Sequence, residues 1–144
     1  MNLLIRKISS KDIQTITDIE MEIFGGTYTK DFLETFQNHG DILVAVSDKQ
    51  IVGLCGWFYQ ENAAEIIMIG VIKAFRRQKI ATMLLKACMS LMLQKNIQKV
   101  FIEVRFSNTD AINLYRSLGF STNRIRTSYY VNPEEDAIEM SVNL

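Results

Sequence analysis

One stretch, residues 71–85, changes from an apolar strand pattern to a basic turn and then to a long apolar helix pattern. The turn carries Arg76, Arg77 and Lys79 at the place where the helix should begin. A helix N-terminus has unpaired N–H groups and a partial positive charge, so cations there are mildly unfavourable unless an anion binds to the turn. The pattern therefore indicates either a phosphate-binding turn or a solvated basic loop, and charge alone leaves both open.

Length and composition limit the classes of protein that fit. The chain has 144 residues, of which 48% are apolar, so we expect one domain spanning residues 1–144. Its formal net charge of zero argues against broad binding to nucleic acid, and we expect no direct nucleic-acid partner. No apolar run approaches the roughly 20 residues of a membrane span. The first residues also lack a signal-peptide pattern, so we expect a cytoplasmic protein without a membrane partner.

The cysteine and histidine content argues against a metal centre. Cys55 and Cys88 lie far apart in apolar surroundings, where free buried thiols are expected. His39 is the single histidine and lies in a turn pattern. A His/Cys metal cluster or a nucleophilic site that depends on histidine is therefore not expected.

The periodicity predicts a mixed α/β domain with the order β-α-α-β-β-β-α-β-α-β-β. Strands are predicted at residues 3–8, 42–46, 50–59, 64–71, 99–104, 120–126 and 137–142. Helices are predicted from Ser9 or Ser10 to about 24, and at 31–37, 77–94 and 108–118. For the last helix, Ser107 is the predicted N-cap and Asp110 its capping-box partner.

Glu103 interrupts an otherwise apolar strand. By alternation it shares one face with Phe101 and Arg105. A glutamate in this position is either solvated on a half-exposed face or held in an apolar cleft, where it could act as a base. The residues alone favour the solvated reading.

The following helix carries Asn108 in its first turn and Tyr115 two turns later, on nearly the same face. A tyrosine at such a position is more often a core residue with an accessible hydroxyl, although it could also donate a proton.

These segments resemble the GNAT acetyltransferases. Arg76-Arg77-Gln78-Lys79-Ile80-Ala81 is similar to the acetyl-CoA motif of that superfamily, R/Q-x-x-G-x-G/A. Residues 103–120 (EVRFSNTDAINLYRSLGF) closely resemble its second signature, most of all in the ribosomal-protein-alanine N-acetyltransferase (RimI-type) branch. Residues 129–130 and 134–140 resemble the C-terminal stretch of the same branch. The likeness covers essentially the whole chain.

The resemblance implies a single-domain GNAT fold, with a mixed central sheet of about seven strands flanked by four helices. It implies acetyl-CoA as cosubstrate and no metal, with Glu103 as general base and Tyr115 as general acid. Tyr28, Tyr129 and Tyr130 would contact the acceptor. The implied cofactor-binding residues are Ile69, Gly70, Val71, Arg76, Arg77, Gln78, Lys79, Ile80, Ala81, Thr82 and Asn108.

The function that the resemblance implies is acetylation of the N-terminal α-amine of a protein, a ribosomal protein in this branch. Acetylation of a small amine or a lysine side chain, and a non-catalytic CoA-binding module, are the two alternatives. Three residues depart from the pattern: Lys79 replaces a glycine, Met68 an asparagine and Tyr28 a tryptophan. The first bears on cofactor affinity and the other two on the acceptor.

Overall fold

The computed structural model describes residues 2–144, and this range contains seven strands and four α-helices. The strands are β1 (Leu3–Lys7), β2 (Gly40–Ser47), β3 (Gln50–Gln60), β4 (Ala63–Val71), β5 (Lys99–Arg105), β6 (Ser121–Tyr130) and β7 (Glu135–Asn143). The helices are α1 (Ile13–Phe24), α2 (Lys30–His39), α3 (Ile80–Gln94) and α4 (Thr109–Ser117). The predicted α/β class and element order are confirmed.

All seven strands form one sheet in the order β1-β2-β3-β4-β5-β7-β6. Strands β4 and β5 are the one parallel pair among its neighbours, because α3 connects them across one face of the sheet. The other neighbouring strands are antiparallel. The sheet is therefore mixed, as expected.

Two apolar clusters cover the two faces of the sheet. One includes the buried side of α3 and part of α4, and it contains Trp57, Cys55 and Cys88, all fully buried. Both thiols are free, as predicted. The other cluster joins α1 and α2 to β2 and β3 through Ile16, Leu33 and Phe36 and their neighbours. Each face of the central strands is thus packed against helices, which fixes the sheet as a rigid platform.

The pairing of β4 with β5 is short. It runs from Ala63↔Lys99 to Ile66↔Ile102 and then stops. Strand β4 nevertheless continues to Val71, still paired with β3, and β5 continues to Arg105, still paired with β7. The pairing of β3 with β4 shifts register at the same level, between Gly56↔Met68 and Trp57↔Ile66. A gap therefore opens in the middle of the sheet, between two strands whose outer edges remain held.

Two predicted helix starts are wrong. Helix α3 begins at Ile80 rather than Arg77, because Arg77 (φ 63°) and Lys79 (φ 62°) both have left-handed backbone conformations that a helix cannot include. Helix α4 is capped by Asn108 rather than Ser107, since Asn108 Oδ1 accepts a hydrogen bond from the Ala111 N–H at 3.2 Å. The Ser107 N–H instead donates to Glu135 Oε2 at 2.6 Å.

The connection from β1 to α1 depends on Asp12. Its carboxylate accepts hydrogen bonds from Arg6 Nη1 (2.7 Å), Arg6 Nη2 (3.0 Å) and the Ser9 N–H (2.7 Å). The bonds from Arg6, together with those from Ser9, lower the pKa of Asp12 to about 2 despite its burial.

We expect Asp12→Asn to lower the free energy of unfolding by about 1–2 kcal/mol at neutral pH, since a charge-assisted pair and a cap are lost. Because the folded pKa lies below the unfolded value of about 4, this stabilisation is complete above about pH 4 and is lost as the pH falls towards about 2. Urea unfolding of both proteins across that range tests this. Asp18→Asn, at an exposed site on α1, is the control. A difference between Asp12→Asn and the wild type that does not shrink with acidification would contradict the account.

Candidate active site

A cleft of about 1300 Å³ lies in the gap between the ends of β4 and β5. Its wall is formed by the end of α1, the end of β4, the turn before α3, the first turn of α3, and the β5–α4 connection. The lining residues are Ile23, Phe24, Ile69, Gly70, Val71, Lys73, Phe75, Arg76, Arg77, Lys79, Ile80, Ala81, Thr82, Arg105, Asn108, Asp110 and Leu114. Every residue predicted to bind the cofactor, except Gln78, lies in this wall.

Helix α1 and strand β4 approach each other closely at Gly70. A Cβ atom built on Gly70 would overlap Ile23 Cγ2 and would lie 3.1 Å from Phe24 Cζ. The absence of a side chain lets the last turn of α1 pack directly on β4. Ile23 and Phe24 were not predicted as part of the site, because the sequence of a remote helix gives no local signal that the helix closes a cleft.

Beyond Ile66, the edge of β4 that faces the cleft has no partner strand. Those backbone N–H and C=O groups of residues 69–71 that point away from β3 can therefore pair with an extended ligand as a further strand would, apart from the Val71 carbonyl, which accepts a hydrogen bond from Arg76 Nε. The Tyr28 hydroxyl donates to the Ile67 carbonyl oxygen at 3.1 Å, at the point where the gap begins. An extended polar ligand suits this edge.

The other end of the cleft is the start of α3. The first intrahelical hydrogen bond runs from the Met83 N–H to the Lys79 carbonyl at 3.1 Å, so the N–H groups of Ile80, Ala81 and Thr82 precede the helical ladder. Arg76 Nε donates to the Val71 carbonyl at 3.1 Å, which folds the turn back onto the strand. No acidic residue occupies the first turn of α3.

The charge around the cleft is strongly one-sided. Its lining contains five cationic side chains (Lys73, Arg76, Arg77, Lys79 and Arg105) and one carboxylate, Asp110. The chain as a whole is neutral, so this excess is local. Together with the α3 N-terminus it favours an anion such as a pyrophosphate. Lys73 and Arg105 were not predicted, although both are basic residues at the ends of predicted strands.

Glu103 lies on the other part of the site, on the face of β5 that α3 does not cover. Its side chain is 14% exposed, and Oε1 lies 3.1 Å from Arg126 Nε. Glu103 Oε2 is buried without a hydrogen-bond partner among the described residues. The structure thus places Glu103 in a shielded site beside a cation from β6, rather than on an open face.

Two of the three predicted acceptor residues, Tyr129 and Tyr130, lie near Glu103, and the third, Tyr28, lies near these two tyrosines. Tyr129 and Tyr130 have ring centroids 5.1 Å apart in an edge-to-face arrangement. Arg126 lies over the Tyr129 ring at 5.5 Å, and Arg105 over the Tyr130 ring at 4.4 Å. Burial, followed by the charge of Glu103, raises the pKa of Tyr130 to about 12, with a smaller effect from Tyr28. The result is an aromatic enclosure around a carboxylate.

Tyr115 is 5% exposed and lies outside the cleft wall, with its ring centroid 6.0 Å from that of Phe120. Burial, followed by the nearby Cys55 and Tyr130, raises its pKa well above the ordinary value. Its hydroxyl therefore stays protonated throughout the physiological range. Met68 is fully buried in the apolar cluster under α1 and α2, so its departure from the family pattern concerns packing rather than contact with an acceptor.

Within residues 2–144, no group of three His, Cys, Asp or Glu side chains is arranged to hold a metal ion. No helix in the same range is long and apolar enough to cross a membrane.

Comparison with known proteins identifies the family of the chain. Residues 13–120 match the acetyltransferase (GNAT) family. The chain belongs to this family. It is an N-acetyltransferase, and within the GNAT family it is most similar to the ribosomal-protein-alanine (RimI-type) branch.

A Bacillus subtilis relative, whose name assigns it provisionally as a [ribosomal protein bS18]-alanine N-acetyltransferase, is 30% identical over 143 residues, covering 97% of this chain and 95% of that protein. The crystal structure of the Escherichia coli ribosomal-protein-S18-alanine N-acetyltransferase superposes with a TM-score of 0.89 at 24% identity, covering 99% of this chain and 94% of that one. Arabidopsis thaliana NAA60 in complex with acetyl-CoA superposes with a TM-score of 0.88 at 18% identity and 99% coverage of both chains. The two structures show that the GNAT fold is shared.

Lys79 caps α3 in a left-handed conformation (φ 62°, ψ 20°), where the GNAT motif has glycine. We expect Lys79→Gly to raise the free energy of unfolding by about 0.5–1 kcal/mol, because glycine adopts this conformation without strain. Lys86→Gly, at an exposed site inside α3, should instead lower it by about 1 kcal/mol. Denaturant unfolding of both variants tests the pair, and a destabilised Lys79→Gly would show that the lysine side chain makes stabilising contacts that offset the strain.

All five tyrosines have raised pKa values, with burial as the largest cause in each case. A raised pKa in the folded protein means that folding favours the neutral, protonated phenol. The resulting contribution to the free energy of unfolding is complete below the unfolded pKa of about 10 and is lost as the pH rises above it. We expect the phenolate absorbance of the folded protein to develop at higher pH than in urea-unfolded protein. Coincident titration curves would contradict the burial of these hydroxyls.

Proposed function

We propose that this GNAT enzyme transfers the acetyl group of acetyl-CoA to the N-terminal α-amine of a protein, and that the acceptor is a ribosomal protein in the cytoplasm. Residues 1–144 act as one domain in this reaction. The observation that carries the proposal is the gap between β4 and β5: the cationic cleft lies in this gap, and Glu103, with Tyr129 and Tyr130 near it, is the first residue of β5 beyond the last pair, Ile66↔Ile102. Kinship with the RimI-type branch supports a protein acceptor.

The cleft fits acetyl-CoA as a cosubstrate. The pyrophosphate lies on the N–H groups of Ile80, Ala81 and Thr82, with Arg77 and Lys79 supplying charge. The pantetheine arm extends along the unpaired edge of β4 at residues 69–71. Asn108 contributes its side-chain amide, since its carbonyl oxygen already caps α4. Acetyl-CoA supplies an activated acyl group, and these residues bind and orient it.

The acceptor amine is activated by Glu103. An α-amine has a reference pKa of about 8, whereas lysine has one of about 10.4, so a carboxylate can free an α-amine near neutral pH far more readily. The neutral amine then attacks the thioester carbonyl carbon directly. Backbone N–H groups near Val71 stabilise the oxyanion that forms.

Tyr115 serves the departing sulfur. The family resemblance implies the role of general acid for Tyr115, and its raised pKa refines that role. Complete proton transfer from such a hydroxyl to a thiolate, whose conjugate acid has a pKa of about 8.5, is uphill. A hydrogen bond from Tyr115, which strengthens as charge develops on sulfur, supplies the stabilisation instead.

The acceptor enters between aromatic side chains. The Tyr28 hydroxyl is anchored on Ile67, while the Tyr129 side chain is 50% exposed beside the shielded Glu103. Aromatic faces bind a peptide backbone and its side chains at low entropic cost. A free chain end can present its amine in such an enclosure while the remainder of the peptide leads out to solvent.

The experiment that tests the proposal is intact-mass spectrometry of peptides incubated with the protein and acetyl-CoA. The panel begins with Ala, Ser, Met and Gly and includes an N-terminally blocked peptide with one free lysine, together with a polyamine. Gain of one acetyl group on an α-amine supports the proposal. Transfer to lysine or polyamine alone would replace it with the small-amine or lysine reading, and acetyl-CoA binding without any transfer would favour a regulatory module.

Glu103→Gln should lower turnover on the best peptide on the order of 100-fold near neutral pH. The loss should shrink as the pH rises above about 8, because the amine then loses its proton without help. Acetyl-CoA affinity, measured by calorimetry, should change little, since Glu103 lies outside the cleft wall. Glu34→Gln, at an exposed site on α2, is the control. Full activity of Glu103→Gln would remove Glu103 from the role of base.

A further inference from the structure

Glu103 of β5 faces a second carboxylate, Glu139 of β7. The two residues are direct cross-strand partners, a position in which like charges destabilise a sheet. Arg126 of β6 reaches both carboxylates. Its Nε lies 3.1 Å from Glu103 Oε1, and its Nη2 lies 3.2 Å from Glu139 Oε2. One guanidinium therefore balances two opposed carboxylates.

The two contacts of Arg126 differ in quality. Arg126 Nη2 donates a hydrogen bond to Glu139, which also accepts from Arg124 Nε (3.1 Å) and Asn123 Nδ2 (3.2 Å). Burial would raise the pKa of Glu139, but these hydrogen bonds outweigh it and lower the pKa. Toward Glu103, in contrast, Arg126 Nε makes no hydrogen bond, and Glu103 Oε2 also lacks one. The Glu103 contact is thus the one that Arg126 can more readily give up.

We propose that Arg126 is a positioning residue for the acceptor: its guanidinium holds the place of the acceptor's ammonium group against Glu103 and withdraws to Glu139 when the acceptor binds. This inference rests on the proposed function, because it assigns Glu103 to the acceptor amine. A proton then passes from the ammonium nitrogen to a Glu103 carboxylate oxygen, which leaves a neutral amine and a carboxylic acid. The charge of Arg126 remains balanced by Glu139.

The surroundings of Arg126 suit such a shift. Strand β6 lies at the edge of the sheet and pairs with β7 alone. Its register breaks between Arg126 and Tyr130, so this segment is less tightly held. The Tyr129 ring, 5.5 Å from the guanidinium, offers a surface on which the cation can move without losing all contact.

Other charged and titratable groups also face Glu103, and the test must separate them from Arg126. They are Glu65 of β4, Arg105 of β5, Tyr129 and Tyr130 of β6, and Glu139 of β7. A change confined to Arg126 and Glu139, with opposite signs, distinguishes the proposed exchange from a general change in the field.

The kinetic test compares pH profiles of kcat/KM for the best peptide acceptor. In Arg126→Gln, the limb below neutral pH should move about one unit higher, since loss of a nearby cation favours the protonated carboxyl. In Glu139→Gln, Glu103 is the carboxylate that remains to pair with Arg126. The acid limb of the profile should therefore move to lower pH, and KM for the acceptor should rise. Arg126→Lys keeps a cation at this position, so its acid limb should lie close to that of the wild type. Arg116→Gln, which removes an exposed cation from α4, is the control for net charge.

A second measurement does not depend on turnover. In ¹³C spectra of side-chain carboxyls, assigned with Glu103→Gln, the Glu103 signal should titrate about one pH unit higher in Arg126→Gln and lower in Glu139→Gln than in the wild type. The same midpoint in all three proteins would overturn the inference. If no peptide is acetylated by the wild type, the proposed function fails, and these spectra still decide whether Arg126 is shared between the two carboxylates.

Discussion

The early end of the pairing between β4 and β5 is the constraint on which the site depends. Four residues of each strand are paired, from Ala63↔Lys99 to Ile66↔Ile102, and the strands then separate while their outer neighbours hold them in place. The gap frees one backbone edge of β4 and directs it at the start of α3. Glu103 is the first residue of β5 beyond the last pair. The proposed cosubstrate and the proposed acceptor therefore meet at a defect in an otherwise continuous sheet.

Opposite charges are sorted to the two sides of this gap. The cleft wall carries five cations and one carboxylate, whereas Glu65, Glu103 and Glu139 lie on neighbouring strands near the tyrosines. A neutral chain can thus present a cationic site for an anionic cosubstrate and an acidic site for an amine. Arg126 lies within the acidic side, where it offsets repulsion between two directly opposed carboxylates.

Much of the fold could be predicted because it depends on local signals. The apolar runs at residues 64–71 and 99–104 predicted β4 and β5, and the basic turn indicated either an anion site or a solvated loop. The left-handed backbone conformations of Arg77 and Lys79 could not be predicted, because the composition of a basic turn does not determine its backbone dihedral angles. Nor could the ion pair between Glu103 and Arg126, because it joins strands that are neighbours of β7 rather than of each other. The position of Ile23 and Phe24 in the cleft wall could not be predicted either, because it depends on the tertiary packing of α1 against β4.

The central claim is that the unpaired edge of β4 and the first turn of α3 together bind acetyl-CoA. Titration of ¹⁵N-labelled protein with acetyl-CoA tests it directly through the backbone amide signals. The account predicts that the largest changes occur at residues 69–71 and 80–82, with little change in the turn at residues 61–62, which joins β3 to β4 at the opposite end of these strands. Saturable changes that cluster away from these two segments, or none at millimolar ligand, would contradict it.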